Sequence, residues 1–372
     1  MKFSKGPCNL TLPLCWKFAF PAVLIITSFL LFRNFWPVHR PQVAIQNSNK
    51  TPGVSTTQAE SPFAYDDSNN ITINLVVATL RKDDISWTED IRLPNMNVIR
   101  YVTDDMTAPF HPPVPNKGRE AMIYLSYMRD YYDELPDVTI FTHADERPWH
   151  MERTLNSSLV FALSHLDFNQ VLQRQYFNLR VSWDNACPDW INTTKTEYDG
   201  VKQEQHFTRQ AFIENFATDD VPEILAGPCC SQFAVTRDAV RRHPKSQYER
   251  SVTWLMQTDL EDFLSGRVWE HFWQWLFKGQ AVDCPIEWKS YCRMYHICYD
   301  LESRKLLSKL EEERKELENK NGFFGKIVDL FNGMKNKKRL GEIDAIMAIE
   351  LSSALQRGKS EAARIQLLSD SW

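Results

Sequence analysis

The chain has 372 residues, with 43 Lys and Arg against 48 Asp and Glu, and is 43% hydrophobic and 12% aromatic. It is too apolar and aromatic to be disordered throughout, too mixed in charge for a bulk nucleic-acid binder, and too hydrophilic on average for a multi-span membrane protein. Its length allows one large domain or two ordinary ones, either able to bury a core.

The first distinctive segment is FAFPAVLIITSFLLF at 18–32, a 15-residue uncharged run between Lys17 and Arg33. A spanning helix needs about 20 apolar residues. Trp16 and the Phe35-Trp36 pair can anchor at the interfaces while Lys17 and Arg33 snorkel, which extends the usable length. No small-x-small cleavage site follows. Residues 18–36 are therefore read as an uncleaved signal anchor, ahead of a cleaved signal peptide or a buried apolar helix, with residues 1–17 cytoplasmic. Residues 37–71 are polar and rich in Ser, Thr, Asn and Pro, as in a flexible stalk. The expected location is a single-pass type II membrane protein of the ER or Golgi, with residues 72–299 folding in the lumen.

From residue 72 strands and helices alternate. Ile73–Leu80 is a continuous apolar run of strand length, as in a sheet buried on both faces, and Asn97–Val102 is a half-buried strand. Gly118 to Tyr132 carries apolar residues at helical spacing, and Val138–Phe141 is a third buried strand. Phe177–Val181 and Gln232–Val235 are short strand candidates, and Thr253–Leu255 and Val268–Phe277 read as helical. Trp269, Phe272, Trp273, Leu276 and Phe277 make one core face of the last, leaving Glu270 and His271 off the stripe. The expected fold is a single α/β domain, a mixed or mainly parallel sheet with flanking helices, and its site belongs where strands end in loops.

Residues 300–372 differ. Glu302–Asn321 is dense in Lys, Arg and Glu around Leu306, Leu307, Leu310 and Leu317, a solvated helix with a narrow seam. An apolar face from Phe323 to Met334 follows and is expected to dock on the core or on another helix before it would lie on a membrane. This region is read as a charged helical appendix able to make protein contacts.

Six cysteines fall in the expected lumenal part: Cys187, Cys229, Cys230, Cys284, Cys292 and Cys298. An even set in an oxidising compartment reads as up to three disulfides, and the spacings do not match the C-x2–4-C pairs of a zinc site. Neighbouring cysteines rarely bond each other, so Cys229 and Cys230 are each expected to reach a distant partner. Three acceptor sequons, at Asn70, Asn156 and Asn192, fit a lumenal glycoprotein.

No P-loop, G-x-G-x-x-G, G-x-S-x-G or H-E-x-x-H occurs. The densest polar stretch is Thr142-His143-Ala144-Asp145-Glu146-Arg147-Pro148-Trp149-His150, just after a buried strand. His143, Asp145 and His150 are candidate catalytic residues, and His143 with Asp145 is the candidate site for a divalent cation. The plain alternative is that His143 caps the strand end and Trp149 packs. Lys117 and Arg119 flank Gly118 at a helix start and are candidates for holding an anion such as a phosphate. Glu270 is a further candidate base.

Several blocks then carry a resemblance: Lys117-Gly118, Leu135-Pro136-Asp137, Trp149-His150, Asn178-Leu179-Arg180, Pro228-Cys229-Cys230-Ser231-Gln232-Phe233-Ala234-Val235, Ser265-Gly266-Arg267-Val268, and the closing Cys284-Pro285 to Cys298. Over residues 72–299 the chain resembles the fungal family catalogued as domain of unknown function 3431. The resemblance implies a fungal, often membrane-anchored protein with an α/β core, and implies no reaction. Members usually carry a second His between the positions of His143 and Trp149, where this chain has Asp145-Glu146-Arg147. The region after Asp300 lies outside the resemblance.

Anchor, stalk and disulfide-bearing α/β domain together match the layout of a type II Golgi transferase. The leading expectation is a glycosyltransferase-like enzyme using a nucleotide sugar, with a glycan as the other possible partner. The rival is a non-catalytic accessory or binding protein of a fungal metabolite or cell-wall pathway; metal-dependent oxidation or hydrolysis at His143–His150 is a third reading. The core carries 23 basic and 32 acidic side chains, which further argues against nucleic acid.

Overall fold

The computed structural model describes residues 70–320 and 330–369. The predicted tail, anchor and stalk, up to residue 69, lie outside the described residues. So does the apolar face at 323–334, apart from the backbone of 330–334. Among the described residues no helix is long and apolar enough to cross a membrane.

The apolar run at the start of the core forms β1 (Ile73–Thr79), with β2 (Met96–Val102) parallel beside it. Helix α1 (Arg119–Asp130) leads to β3 (Val138–His143), which pairs parallel with the other edge of β1. Two short helices, α2 (Leu159–His165) and α3 (Phe168–Arg174), lead to β4 (Tyr176–Asn178). A separate two-stranded sheet, β5 (Ile191–Asn192) with β6 (Ile224–Leu225), brackets α4 (Gln205–Phe216). Then β7 (Phe233–Thr236) inserts antiparallel between β3 and β4, giving the order β2-β1-β3-β7-β4. The sheet is thus mixed and mainly parallel. The strand expected over Phe177–Val181 stops at Asn178, because the N–H groups of Val181 and Ser182 donate to the Glu152 carboxylate instead of to a neighbouring strand, each at 2.6 Å.

Both sheet faces are covered, as a continuous apolar strand demands. Val76, Phe141, Phe233 and Val235 point into one layer with α1; Ile73, Leu75, Val77, Val138 and Ile140 point into the other with α2 and α3. The chain continues through α5 (Arg237–Arg241), α6 (Lys245–Gln257), α7 (Asp262–Glu270), α8 (Trp273–Lys278) and α9 (Glu287–Tyr295). The single helix predicted over Val268–Phe277 is two helices, α7 and α8, broken at His271-Phe272. His271 is buried, meets Glu204 Oε1 through Nε2 at 3.0 Å, and accepts from Gln274 Nε2 at 2.9 Å through its carbonyl. That long-range tie sets the break, yet Trp269, Phe272, Trp273, Leu276 and Phe277 are all buried as the stripe requires. Burial alone would raise the Glu204 carboxyl, but bonds from His271 and from Arg267, at 2.9 and 3.0 Å, outweigh it and hold the group at about 2.

Three helices complete the chain, α10 (Leu301–Lys320), α11 (Leu330–Gly358) and α12 (Glu361–Ser369). Leu307, Leu351, Ala354 and Leu355 join the second core layer, and Leu310, Ile343 and Met347 make the seam between α10 and α11. All six core cysteines are paired: Cys187–Cys284, Cys292–Cys298 and Cys229–Cys230. The last corrects the expectation of distant partners for Cys229 and Cys230. The other four cysteines satisfy one another, and Cys230 and Ser231 adopt left-handed backbone, which turns the vicinal pair inward.

Candidate active site

In a sheet ordered 2-1-3, the parallel strands leave β1 in opposite directions, and a crevice opens where the carboxyl ends of β1 and β3 diverge. A cleft of about 930 Å³ lies there, lined by the loop after β1 (Leu80, Lys82, Asp83, Asp84), the start of α1, and His143 and Asp145 at the end of β3. The Arg100 guanidinium holds the β1 loop by donating to the carbonyls of Leu80, Arg81 and Asp83 at 2.8–3.3 Å.

Because β7 runs antiparallel, its beginning lies at the edge where β3 and β4 end: Phe233 is in register with both Phe141 and Asn178. This brings Cys229-Cys230-Ser231-Gln232, Arg180 and His143 to one place from segments far apart in sequence. Gln232 Oε1 accepts the His143 backbone N–H at 3.1 Å, and its Nε2 meets His150 Nε2 at 2.7 Å. The two imidazoles are edge to face with centroids 5.2 Å apart. Burial pushes His143 down to about 4 and His150 down to about 3, so both are neutral near pH 7. His143 Nε2 is buried without a hydrogen-bond partner. Arg180 Nη1 donates to Cys229 Sγ at 2.6 Å.

Asp145 is exposed at the cleft, one oxygen accepting the Arg147 N–H at 2.9 Å. Glu120 also lines the cleft, and Glu270 lies behind it against the Cys229–Cys230 disulfide. Burial raises both carboxyls, with a further rise at Glu270 from the charge of Glu120 and at Glu120 from that of Asp262. Glu120 escaped the sequence reading because a Glu in a first helical turn looks like ordinary dipole compensation. Gln232, Arg180 and Asp262 had no local signal either.

Lys117 and Arg119 both reach the cleft, but their charges are engaged. The Lys117 ammonium donates to the carbonyls of Thr258 and Leu260 at 2.7 and 2.6 Å. Asp262 accepts the Arg119 backbone N–H and Nε, both at 2.9 Å, and so occupies the helix start with a carboxylate. Gly118 and Arg119 have φ of +72° and +51°, and a side chain at Gly118 would strike Leu255 at 2.7 Å.

Among the described residues, the group of three ligand types close enough to share an ion is Cys229, Cys230 and Glu270, within 4.8 Å, and both of its sulfurs are consumed by their disulfide. Among the described residues, that group includes neither His143 nor Asp145. Trp149, read as a packing residue in the plain alternative, is 88% exposed. Of the sequons, Asn70 and Asn156 are exposed, while Asn192 is partly covered, its Oδ1 accepting from Thr194 Oγ1 at 2.6 Å.

No curated protein and no solved structure matches the chain. The family described as a protein of unknown function (DUF3431) matches over residues 75–293, the segment that holds the sheet, the cleft and the His143–Gln232–His150 array, and the chain belongs to that family.

Proposed function

We propose that the chain is a glycosyltransferase-like enzyme that binds a nucleotide sugar in the cleft between β1 and β3. The observation that carries the reading is the placement of His143-x-Asp145 at the end of β3, on the wall of a crevice at a topological switch point. Its volume of about 930 Å³ suits a ligand of that size. His143 and Asp145 fit a divalent cation shared with a diphosphate: the imidazole is neutral and its buried Nε2 has no partner. Such a cation would offset the charge on the departing diphosphate. Lys82 lines the same cleft and adds a positive charge. Glu120, whose burial raises its proton affinity, is the side chain in the cleft suited to take a proton from an attacking hydroxyl; the Asp262 carboxylate nearby adds to that rise.

Paired core cysteines support folding in an oxidising compartment. With the apolar segment at 18–36 this gives a single-pass type II protein of the ER or Golgi, its sheet domain lumenal. The rival, a non-catalytic binding protein, draws on the engagement of Lys117 and Arg119 by protein groups. The test is the melting temperature of the full chain with a panel of UDP, GDP and CMP sugars and Mn²⁺. At 100 times Kd a ligand stabilises by about 2.7 kcal/mol, and the gain is expected to vanish in Asp145→Asn. No shift with any donor sinks the transferase and leaves the rival.

A further inference from the structure

The loop after β3 has two sides. His143 and Asp145 face the first cleft, and Trp149, His150 and Glu152 line a second one, of about 610 Å³. Its far wall is helix α10, so a region outside the family match completes it. His143 lines the first cleft and His150 the second, and their imidazoles are edge to face with centroids 5.2 Å apart.

The lining points to an uncharged, hydroxyl-rich ligand. It carries five basic and five acidic side chains. Several pair with each other, Arg153 with Glu318 at 3.3 Å, Lys315 with Asp184 at 3.1 Å and Arg314 with Glu318 at 2.9 Å, so little net field is left to hold an ion. Six Ser, Thr and Tyr hydroxyls lie among them, giving donors and acceptors side by side. Glu152 Oε2 is buried with no hydrogen-bond partner. Two indoles frame the opening. Trp149 is 88% exposed, an unusual cost for so large an apolar surface, and Trp288 lies under the Arg304 guanidinium at 3.6 Å. An aromatic plate beside alternating donors and acceptors is what a sugar ring needs, apolar C–H face on the indole and hydroxyls on the polar groups.

We propose that this second cleft is a glycan-binding subsite with Trp149 as its stacking platform, and that it presents the acceptor to the first cleft across the His143–His150 pair. Only the word acceptor rests on the transferase reading; the binding does not. The experiment applies the full chain, without nucleotide or metal, to an immobilised panel of oligosaccharides ending in mannose, glucose, galactose or N-acetylglucosamine. Retention on at least one is expected, at least tenfold weaker for Trp149→Ala, restored in part by Trp149→Phe, and unchanged for Gly200→Ala, where nothing lies within 4 Å. Trp149 touches no core layer, so its variants should melt with the wild type. No retention on any glycan, or equal retention by Trp149→Ala, overturns the subsite. Glycan binding without nucleotide-sugar stabilisation sinks the transferase and keeps the subsite; the reverse result does the opposite.

Discussion

Gln232 bridges His143 and His150, accepting the backbone N–H of the first at 3.1 Å and donating to Nε2 of the second at 2.7 Å. The amide cannot turn to accept from a protonated His150 without losing its bond to His143. His150 is thereby held neutral, as its burial also demands.

A pH prediction follows from that arrangement. Burial lowers the folded pKa of His150 to about 3, below the ordinary value of 6.5, so the unfolded chain binds the extra proton between those limits. The stabilising contribution is whole above about pH 6.5 and is lost as pH falls toward 3. From pH 7 to pH 5 the loss should be about 2 kcal/mol for this one group. Urea denaturation at both pH values, comparing wild type with His150→Asn, checks it: the variant should lose less stability by that amount. Equal losses would mean that His150 is not held neutral.

The disulfides should rank by the chain they close. Cys187–Cys284 spans 97 residues and Cys292–Cys298 spans 6, whereas Cys229–Cys230 joins neighbours. In the chain-entropy account these are worth about 4–5, about 2 and close to 0 kcal/mol. Double Cys→Ser variants measured by denaturant unfolding should follow that order. A large loss for Cys229→Ser/Cys230→Ser would assign the vicinal pair a packing role that loop closure does not supply.

Much of this fold was legible because its signals are local. Five of the seven residues of β1 are apolar, and the aromatic stripe of 269–277 buries as its spacing dictates even though the helix breaks inside it. What escaped depends on distant partners. His271 breaks its helix by meeting Glu204, 67 residues away, and the Lys117 ammonium is taken up by carbonyls more than 140 residues on. A four-residue strand such as β7 carries no periodic trace of its direction, and that direction is what carries Cys229–Gln232 to the edge holding His143. His143 and Asp145 were visible as a polar cluster after a strand; Glu120 and Gln232 were not.

Gly266 lies under the start of α1. A Cβ there would sit 2.7 Å from Arg119 Cγ, 2.8 Å from Arg119 Cβ and 3.2 Å from the Gly118 carbonyl oxygen. Arg119 can give way only by leaving Asp262, which would shift the cleft wall that both residues line. Gly266→Ala should cost about 1–3 kcal/mol and weaken any nucleotide-sugar stabilisation. Gly200→Ala, with nothing within 4 Å, serves as the control and should stay within about 0.5 kcal/mol. Unfolding curves that fail to separate the two variants would remove the close approach.

Gly358 ends α11 against the His296 carbonyl, and a Cβ at this position would overlap that oxygen. The contact sits beside the ties that dock the C-terminal helices: Cys298 N–H to the Ala354 carbonyl at 3.1 Å and Arg357 Nε to the Cys298 carbonyl at 2.8 Å. Cys298 is itself fixed by its bond to Cys292, so the core side cannot easily retreat and α11 must. Gly358→Ala should therefore loosen α11 and, through the Leu310–Ile343–Met347 seam, the helix α10 that walls the second cleft. The expected cost is about 1–3 kcal/mol. Amide exchange should quicken at 292–298 and 351–358 while β1 and β3 stay protected, since the sheet keeps its other cover from α2 and α3. If exchange at 351–358 matches the wild type, the helices are not held by this contact, and the second cleft loses the support that gives it shape.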